Sequence, residues 1–523
     1  MSWELLPGLT LRSSFSYKDR NTYRYKYFPG VLPASSIRQK GGYAYQYSGP
    51  SDEILNNNLL TYRHVWKNKH NLNVLAGWTY EKDERREFIA SGNGYFVDGM
   101  EENSLQSAPS KDLTSISSGN SSQTIVSALS RINYNYKQKY YLTLTGRADG
   151  SSNFSINHKW AFFPSGAVKW RIDQENFMKN IRPINNLDIR FSYGSTGNQA
   201  ISPYQSLPKL AVNNNGYVFN GTIPVAYYPS SLPNTNLTWE TSQESDLGLD
   251  LSLLDNRVKL TIDAYNTNTK NLLLNIQVAQ QTGYVTRLVN LGKTRNRGIE
   301  FSLNTTNIQS KRFGWSSIIT FARNDQKVLD LGPLVEVETH HNYTASQYPM
   351  YAYKVGLPTS SVFGAVYAGT WKSDDDIKAN KDKYVSTPTF YKPGRPRYVD
   401  QNHDGILDKN DVVFQGQADP KYYGGLDNDF TYKGFELDVY FEISGGNVMY
   451  NDVELEMASG SSLTNQFAYM LDGWNAKTNP ESNIPAPGSY DHVPNTRYVH
   501  DASYIRLKSA RFGYSLDPQK FGV

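Results

Sequence analysis

The chain has 523 residues, among them 39 Tyr and 9 Trp, and it has no Cys. Lys and Arg number 53 and Asp and Glu 49, so a formal net charge of +4 gives no argument for a nucleic-acid partner, and none is predicted. The lack of cysteine excludes disulfides, thiolate metal sites and a cysteine nucleophile. Mean hydropathy is negative and no apolar run approaches about 18 residues, which excludes an α-helical membrane protein.

Short segments alternate apolar and polar residues with a period of two. From 257 to 265 the even positions hold Val, Leu, Ile and Ala, and the odd positions hold charged residues, Thr and Tyr. This pattern predicts a strand, and segments 140–149, 246–253 and 434–444 repeat it. Only Asp255 and Asn256 separate two of these strands, which predicts a tight hairpin.

Alternation alone fits a soluble sheet protein, whose apolar face meets a core, or an outer-membrane barrel, whose apolar face meets lipid. Three further features favour the barrel. The chain is long for one all-β domain, yet no linker rich in Pro, Gly or Ser divides it. Tyr and Trp concentrate where barrels cross the membrane interfaces, and the connections alternate between short turns and long polar segments. The predicted fold class is therefore all-β, a transmembrane antiparallel β-barrel with long extracellular loops.

Fourteen strands are predicted in this way. They lie near 8–17, 57–66, 71–80, 124–136, 139–149, 159–172, 187–197, 241–254, 257–269, 288–306, 313–325, 424–432, 434–444 and 503–515. The long connections are predicted at 18–56, 81–123, 198–240, 270–287, 326–423 and 445–502. Because antiparallel strands alternate in direction, the long connections share one rim, which in an outer-membrane barrel is the external one.

The two ends of the sequence suggest a part of a larger protein. Residues 1–5 have neither the basic region nor the apolar region of a signal peptide. At the other end, a strand at 504–514 is followed by a predicted turn at Asp517 and Pro518, close to the last residue. We therefore expect residues 1–523 to be an internal part of a larger barrel protein, without its signal peptide, and with a long external excursion at 326–423.

Several uncommon strings resemble the SusC/RagA-type TonB-dependent transporters of Gram-negative outer membranes. In chain order they are 146–154 (GRADGSSNF), 160–165 (WAFFPS), 193–199 (YGSTGNQ), 236–240 (NLTWE), 298–300 (GIE), an acidic loop at 400–411 and 501–508 (DASYIRLK). The resemblance implies a portion of a 22-stranded barrel in outer-membrane lipid, whose lumen is occupied by a plug. It implies that residues 1–523 are a partial barrel domain, without the plug domain and the terminal strands of the family. It also implies uptake of oligosaccharides or peptides, with a SusD-like surface lipoprotein as partner and energy relayed by the TonB complex through a missing N-terminal part.

Residues 400–411 (DQNHDGILDKND) have the ligand spacing of a calcium loop. The predicted oxygen ligands of a structural Ca²⁺ are Asp400, Asn402, Asp404, the carbonyl of Ile406, Asp408 directly or through water, and Asp411, with Gly405 at the sharp turn. Two features differ from an EF-hand, since Asp411 replaces the usual Glu and an extended segment, 412–414, follows in place of a helix. The alternative is a solvated turn, because Asp, Asn and Gly are common turn formers. A bound ion would stiffen the loop and not catalyse.

Other candidates have simpler explanations. Phe467, Met470, Leu471 and Trp474 recur at helical spacing and could form a platform for the lipoprotein or substrate, but packing of the loop on itself is favoured. Aromatic residues of the long loops, such as Trp371 and Tyr391, could stack on sugar rings.

Enzyme motifs fail on their context. The string 291–294 (LGKT) resembles a phosphate-binding loop, but Arg287 stands where its first glycine is required. The pair His340–His341 lacks a third spaced ligand, and 374–376 (DDD) is most simply a solvated loop. We predict a transporter without enzymatic activity. The competing hypotheses are a soluble or surface-attached β-rich carbohydrate-binding protein and a secreted glycan hydrolase, which would need a carboxylate pair about 5–9 Å apart.

Overall fold

The computed structural model describes residues 1–523 except 31–41, 96–97, 110–113, 214–217, 220, 222–224, 340–349, 387–390, 459, 461–464, 490–492 and 517–523. The pair His340–His341 and the predicted turn at Asp517 and Pro518 lie outside the described residues. In the described ranges no helix has the length and apolar character needed to cross a membrane.

Strands dominate the described residues. They are β1 (Ser2–Leu6), β2 (Leu9–Phe28), β3 (Gly42–Trp66), β4 (His70–Tyr95), β5 (Thr114–Tyr136), β6 (Tyr140–Ser151), β7 (Trp160–Arg171), β8 (Ile184–Asn198), β9 (Lys209–Asn213), β10 (Ala226–Ser231), β11 (Glu240–Leu253), β12 (Val258–Lys270), β13 (Leu273–Gln277), β14 (Thr286–Asn290), β15 (Lys293–Gln309), β16 (Phe313–Asp330), β17 (Glu336–Thr339), β18 (Tyr351–Lys354), β19 (Ser361–Ala365), β20 (Tyr367–Thr370), β21 (Tyr384–Val385), β22 (Pro396–Val399), β23 (Val412–Gln417), β24 (Tyr422–Tyr432), β25 (Phe435–Gly445), β26 (Val448–Tyr450), β27 (Val499–Asp501) and β28 (Tyr504–Tyr514).

The α-helices among the described residues are short, at Asp374–Asn380 and Asp452–Met457. Single 3₁₀ turns lie at Asp98–Asn103, Leu105–Ser107, Ile172–Gln174, Asn176–Met178, Gln280–Thr282, Lys409–Asp411, Ala468–Asp472 and Thr496–Tyr498.

Fifteen strands form one large sheet in the order β1-β2-β3-β4-β5-β6-β7-β8-β11-β12-β15-β16-β24-β25-β28. All fourteen predicted strands are present, and β1 is a further one that the periodicity did not reveal. The predicted strand 288–306 is in fact two strands, β14 and β15, because Gly292 adopts a positive φ of 91° between them. Leu291 and Gly292 form the connection and Lys293 and Thr294 begin β15, so a strand follows the glycine and not the helix of a phosphate-binding loop.

The prediction that residues 18–56 and 81–123 are long connections is wrong over much of their length. Strand β2 continues to Phe28 and pairs with β3 through Phe28 and Tyr43, while β4 continues to Tyr95. The period-two signal ends early because the distal half of β2 is polar or aromatic on both faces, although its backbone pairing continues.

The short connections have the geometry that tight hairpins need. Lys137 and Gln138, between β5 and β6, have φ values of 53° and 54°, and positive φ at both central residues matches the right-handed twist of the flanking strands. Asn256 and Asp255 also have positive φ, but the connection there includes Leu254 and Arg257 as well.

Two faces of opposite character run through the paired strands β12, β15, β16, β24, β25 and β28. Along one row, Ile262 pairs with Phe301, Phe301 with Phe321, and Ile443 with Ile505. The neighbouring row on the other face includes Asp263, paired with Glu300. An apolar row and a polar row on opposite faces confirm the alternation seen in the sequence.

The chain forms two compact units. Unit 1 comprises residues 1–169, 192–242 and 271–290, and unit 2 comprises residues 170–191, 243–270 and 291–523. The core of unit 1, here called the Trp239 cluster, consists of Phe154, Phe163, Ile201, Leu237, Trp239 and Leu288. Unit 2 has one core of Ala365, Val385, Tyr398, Leu407 and Val493, and another of Met350, Tyr450, Leu455, Ala458 and Tyr498.

The predicted excursion at 326–423 is folded. It leaves the large sheet after β16, which ends at Asp330, and returns at β24, which starts at Tyr422. Between them lie small sheets of its own, β17-β18-β19-β23 and β20-β22-β21. The acidic loop therefore lies on an ordered base.

Candidate functional site

The acidic loop connects β22 to β23, and its two end carboxylates are buried. Asp400 is 1% exposed and accepts hydrogen bonds from the backbone N–H groups of His403 and Gly405, at 2.7 and 2.8 Å. Asp411 is fully buried and accepts from the N–H groups of Gln401 and Asp408, at 2.8 and 2.9 Å. These bonds close the loop at its base.

The other predicted ligands are less buried, since Asn402, Asp404 and Ile406 are exposed and Asp408 is half-buried. The Asn402 amide donates to an Asp404 carboxylate oxygen at 2.7 Å, and the second oxygen of Asp404 accepts from the Ile406 N–H at 2.8 Å. Asp408 accepts from the N–H of Asn410 at 2.7 Å. The φ of Gly405 is 76°, which confirms the sharp turn there.

The segment after the loop also agrees with the sequence analysis. A 3₁₀ turn at Lys409–Asp411 leads directly into strand β23, so extended chain follows the loop, as predicted, and not the helix of an EF-hand.

The donor chemistry of this loop suits Ca²⁺, which prefers all-oxygen ligands, but the side chains are not arranged as a cage. In the part of the chain that the structure describes, no three Asp, Glu, His or Cys side chains group around a point that could hold a metal ion. Burial raises the pKa of Asp411, although the N–H groups of Asp408 and Gln401 act in the opposite direction. Calcium binding at 400–411 therefore stays a prediction.

Next to the loop, a tryptophan and an arginine form a closed cluster. Trp371 is fully buried, and its indole N–H donates to the Ser386 hydroxyl at 2.9 Å. The Arg397 guanidinium lies over the rings of Trp371 and Tyr384, 5.5 and 4.5 Å from their centroids, and pairs with Asp376 at 3.1 Å. The suggestion that Trp371 could stack on sugar rings is wrong, because the ring has no free face.

The DDD string is not a solvated loop. It forms the first turn of the helix Asp374–Asn380, where the Ser373 hydroxyl accepts the N–H of Asp376 as an N-cap. Acidic residues are favoured in a first helical turn because their negative charge lies close to the partial positive charge of the helix N-terminus. Asp376 reaches Arg397 from there, so the sequence analysis missed a structural ion pair.

The apolar residues of the last long connection mostly pack on the protein itself. Phe467 and Met470 contact the core that contains Tyr450 and Leu455. The ring of Trp474 covers Gly394, where a Cβ would lie 2.4 Å from the indole. Only Leu471 of the predicted face is strongly exposed, at 91%. Self-packing, the favoured interpretation, is confirmed for the other three. The predicted helix is wrong, because the segment has only a 3₁₀ turn at Ala468–Asp472.

In unit 1, several of the strings that carry the family resemblance meet in the Trp239 cluster. Phe154 lies 5.3 Å and Phe163 5.6 Å from Trp239 between ring centroids. The Trp239 indole donates to the Lys159 carbonyl at 2.9 Å. Asn153, 1% exposed, donates to the Ile201 carbonyl at 3.0 Å. These strings therefore specify packing and not chemistry.

The polar face of unit 2 carries an ion-pair network. Arg190 on β8 pairs with Asp250 at 2.8 Å and with Asp263 at 2.9 Å. Beside it lies a hollow of about 240 Å³, whose lining includes Asp263, Glu300 and Tyr423. Arg190 thus holds Asp250 and Asp263 together on this face.

The sequence analysis missed a group of basic residues on β2. Arg12, Lys18, Arg20, Arg24 and Lys26 all stand at even positions, whereas the apolar Leu9, Leu11 and Phe15 stand at odd ones. The period of two puts all five basic side chains on one face of the strand. The signal that could have revealed this group is that basic residues recur at even-numbered positions along the strand.

Comparison with known proteins agrees with this architecture. The family described as TonB dependent receptor-like, beta-barrel matches residues 2–391. TonB-dependent receptor P3 of Formosa agariphila is 33% identical over 99% of this chain and 50% of its own length. TonB-dependent receptor SusC of Bacteroides thetaiotaomicron is 30% identical over 75% of this chain and 38% of its own length.

The solved structure of the RagAB peptide transporter shares the fold, with a TM-score of 0.82 and 23% sequence identity, over the whole of this chain and 55% of the transporter chain. The chain spans about half the length of the curated relatives that it matches over nearly all its residues. The matched residues 2–391, together with these relatives, show that the chain belongs to the TonB-dependent receptor family and forms part of its β-barrel.

Proposed function

We propose that the chain forms the wall of a SusC-like nutrient importer in the outer membrane of a Gram-negative bacterium. The observation that carries the proposal is the apolar row of the large sheet, exemplified by Phe301 and Phe321, opposite the charged row with Asp263 and Glu300. In a barrel the first row faces lipid and the second lines a wet lumen.

Aromatic rings at the short-turn rim support the membrane assignment. At the hairpin between β3 and β4, Trp66 stacks on His70 at 5.1 Å, and His70 lies 4.9 Å from Tyr136. At the hairpin between β24 and β25, Phe435 lies 4.6 Å from Tyr514. Among these residues, the amphipathic rings of Trp66, Tyr136 and Tyr514 are of the kind favoured at the level of lipid headgroups.

The whole importer takes up oligosaccharides or peptides, works with a SusD-like surface lipoprotein on the long-connection side and draws energy from the TonB complex. Support comes from the relatives, since one is named SusC and another belongs to a RagAB peptide transporter. The function is transport and not catalysis, since the matched family consists of receptors and transporters. A structural Ca²⁺ at 400–411 is part of this proposal.

Deletion of the gene in its source bacterium tests the proposal. The deletion strain should lose uptake of a fluorescent oligosaccharide or peptide, and the protein should be found in outer-membrane fractions and need detergent for solubility. A protein that stays soluble without detergent would support the carbohydrate-binding alternative. Unchanged uptake of every oligosaccharide and peptide offered would contradict import.

A further inference from the structure

The polar face of the β2–β3 hairpin carries more positive charge than its neighbours balance. On the proximal part, Lys18 pairs with Glu53 at 3.2 Å and Arg85 of β4 pairs with Asp83 at 2.8 Å. Beyond them the pairing ends. Arg20, Arg24 and Lys26 are exposed, and none forms an ion pair with a described residue.

The three unpaired cations, here called the basic ladder, follow one another along the same face. Alternate residues of a strand are about 6.8 Å apart, so Arg20 and Arg24 are separated by roughly 14 Å and Lys26 follows about 7 Å further on. Such a row presents several positive charges along one line to a chain molecule that lies along the strand.

Tyrosines on β3 complete the surface. Arg24 lies over Tyr47 at 5.3 Å and Lys26 over Tyr45 at 5.6 Å from the ring centroids. A Cβ at Gly49 would lie 2.3 Å from the Tyr47 hydroxyl, so the ring lies flat along the hairpin where β3 has no side chain. A hollow of about 210 Å³ lies at the lower end of the ladder, and its lining includes Arg20, Thr22 and Tyr47. The carboxylates of Glu53 and Asp83 also line it, but they pair with Lys18 and Arg85.

We propose that this face, Arg20, Arg24 and Lys26 with Tyr45 and Tyr47, binds the anionic groups of a carboxylated or sulfated oligosaccharide. The inference rests on the proposed import function and narrows its substrate class. Guanidinium and ammonium groups bind carboxylate and sulfate, and the tyrosine hydroxyls beside them can donate to and accept from sugar hydroxyls.

A sugar fits this surface better than an acidic peptide. From Arg20 to Lys26 the face, with its β3 partners Ser51, Gly49, Tyr47 and Tyr45, has no side-chain carboxylate or amide. The N–H groups of a peptide would find only hydroxyl acceptors there, whereas sugar hydroxyls both donate to and accept from such groups.

Calorimetric titration of the intact protein that carries this chain, purified in detergent, tests the proposal. The probes are a tetragalacturonate, a sulfated carrageenan tetrasaccharide, neutral maltotetraose and tetraglutamate. The variant is Arg20→Gln/Arg24→Gln/Lys26→Gln. The matched control, Lys67→Gln/Lys69→Gln/Lys137→Gln, removes the same charge from two short turns.

The parent and the control should bind at least one anionic tetrasaccharide, with affinity that falls as NaCl rises from about 50 to about 500 mM. The ladder variant should lose roughly tenfold or more in that affinity. Equal binding by the ladder variant, no binding of either anionic sugar, or preference for maltotetraose or tetraglutamate would overturn the proposal.

Uptake separates this inference from the proposed function. If cells import maltotetraose or peptides, and the ladder variant imports them equally well, the proposed import function is supported. If no anionic sugar binds in the titration of that same protein, the anionic specificity is wrong although the import function holds. If the protein binds an anionic sugar through the ladder but no uptake depends on it, the inference about binding stands and the importer fails.

Discussion

The Trp239 cluster and the acidic loop at 400–411 keep their shapes by different means. The cluster gathers residues from Phe154 to Leu288, which are distant in the sequence, and excludes water from their apolar side chains. The acidic loop uses hydrogen bonds among twelve consecutive residues, anchored by Asp400 and Asp411. The first arrangement depends on long-range packing and the second on local polar contacts, so they should respond differently to substitution, ions and pH.

The largest effect is expected from removal of the central ring of the cluster. Trp239→Ala leaves a cavity beside Phe154 and Phe163 and should lower the free energy of unfolding by about 3–5 kcal/mol, measured with denaturant in lipid bilayers. Trp78→Ala is the control, because Trp78 is 44% exposed. Equal losses for the two variants would show that burial does not distinguish these sites.

A smaller disturbance of the same cluster comes from added volume. A Cβ at Gly197 would lie 2.0 Å from the buried Phe163 ring, which Trp239 holds in place. Gly197→Ala should therefore cost about 1–3 kcal/mol of unfolding free energy. Gly513→Ala, where a Cβ meets no atom within 4 Å, should cost much less. A tolerated Gly197→Ala would mean that the cluster can relax around Phe163.

In the acidic loop, Asp411→Ala removes the acceptor of two backbone N–H groups. Because the partners, Gln401 and Asp408, are only partly buried, water can replace part of this interaction. The expected loss is about 1–2 kcal/mol, with faster amide exchange at Gln401 and Asp408 as the direct readout. Unchanged exchange at both amides would contradict the closure of the loop by Asp411.

The calcium prediction sharpens the comparison, since only the loop should respond to the ion. With a dissociation constant of about 0.1–1 mM, typical of weak extracellular sites, about 5 mM Ca²⁺ should stabilise the protein by about 1–2 kcal/mol. Asp400→Asn/Asp404→Asn should abolish the shift, while Trp239→Ala should retain it. A thermal melt that Ca²⁺ leaves unchanged in the parent protein would rule out the site at this affinity.

The smallest effect concerns pH and the ion pair beside the loop. Burial alone would raise the pKa of Asp376, but the Lys372 N–H, the Arg397 guanidinium and the Asn380 amide together lower it. A carboxyl whose pKa is lower in the folded state stabilises the protein above about pH 4, its unfolded value, and loses this contribution as the pH falls through the folded value.

Proteolysis of the excursion should therefore accelerate below about pH 4 in the parent protein. Asp376→Asn should be cleaved faster than the parent at neutral pH and show a smaller further increase in acid. Asp375→Asn is the control, because the Asp375 side chain is 93% exposed. If Asp376→Asn is cleaved at the same rate as the parent at every pH, Asp376 does not cause the pH dependence of proteolysis.

The same contrast explains what the sequence could reveal. Alternation over about ten residues predicted every strand that crosses the apolar row, and the Gly405 turn followed from local composition. The burial of Trp371 and the pairing of Asp376 with Arg397 depend on residues distant in the sequence, so their spacing gave no sign of them. The distal half of β2 was missed because its two faces are similar in polarity, while pairing with β3 fixes its conformation.

That distal half also sets a length. A tilted strand crosses the hydrocarbon core with about 9–11 residues, and β2 has 20. In the proposed importer, some ten residues of β2 therefore extend beyond the lipid, roughly 33 Å along the strand. A free segment of the same length would fluctuate in its end-to-end distance, whereas a hydrogen-bonded hairpin does not. In the proposed importer, the paired strands β2 and β3 thus act as a ruler that sets how far the basic ladder stands from the bilayer.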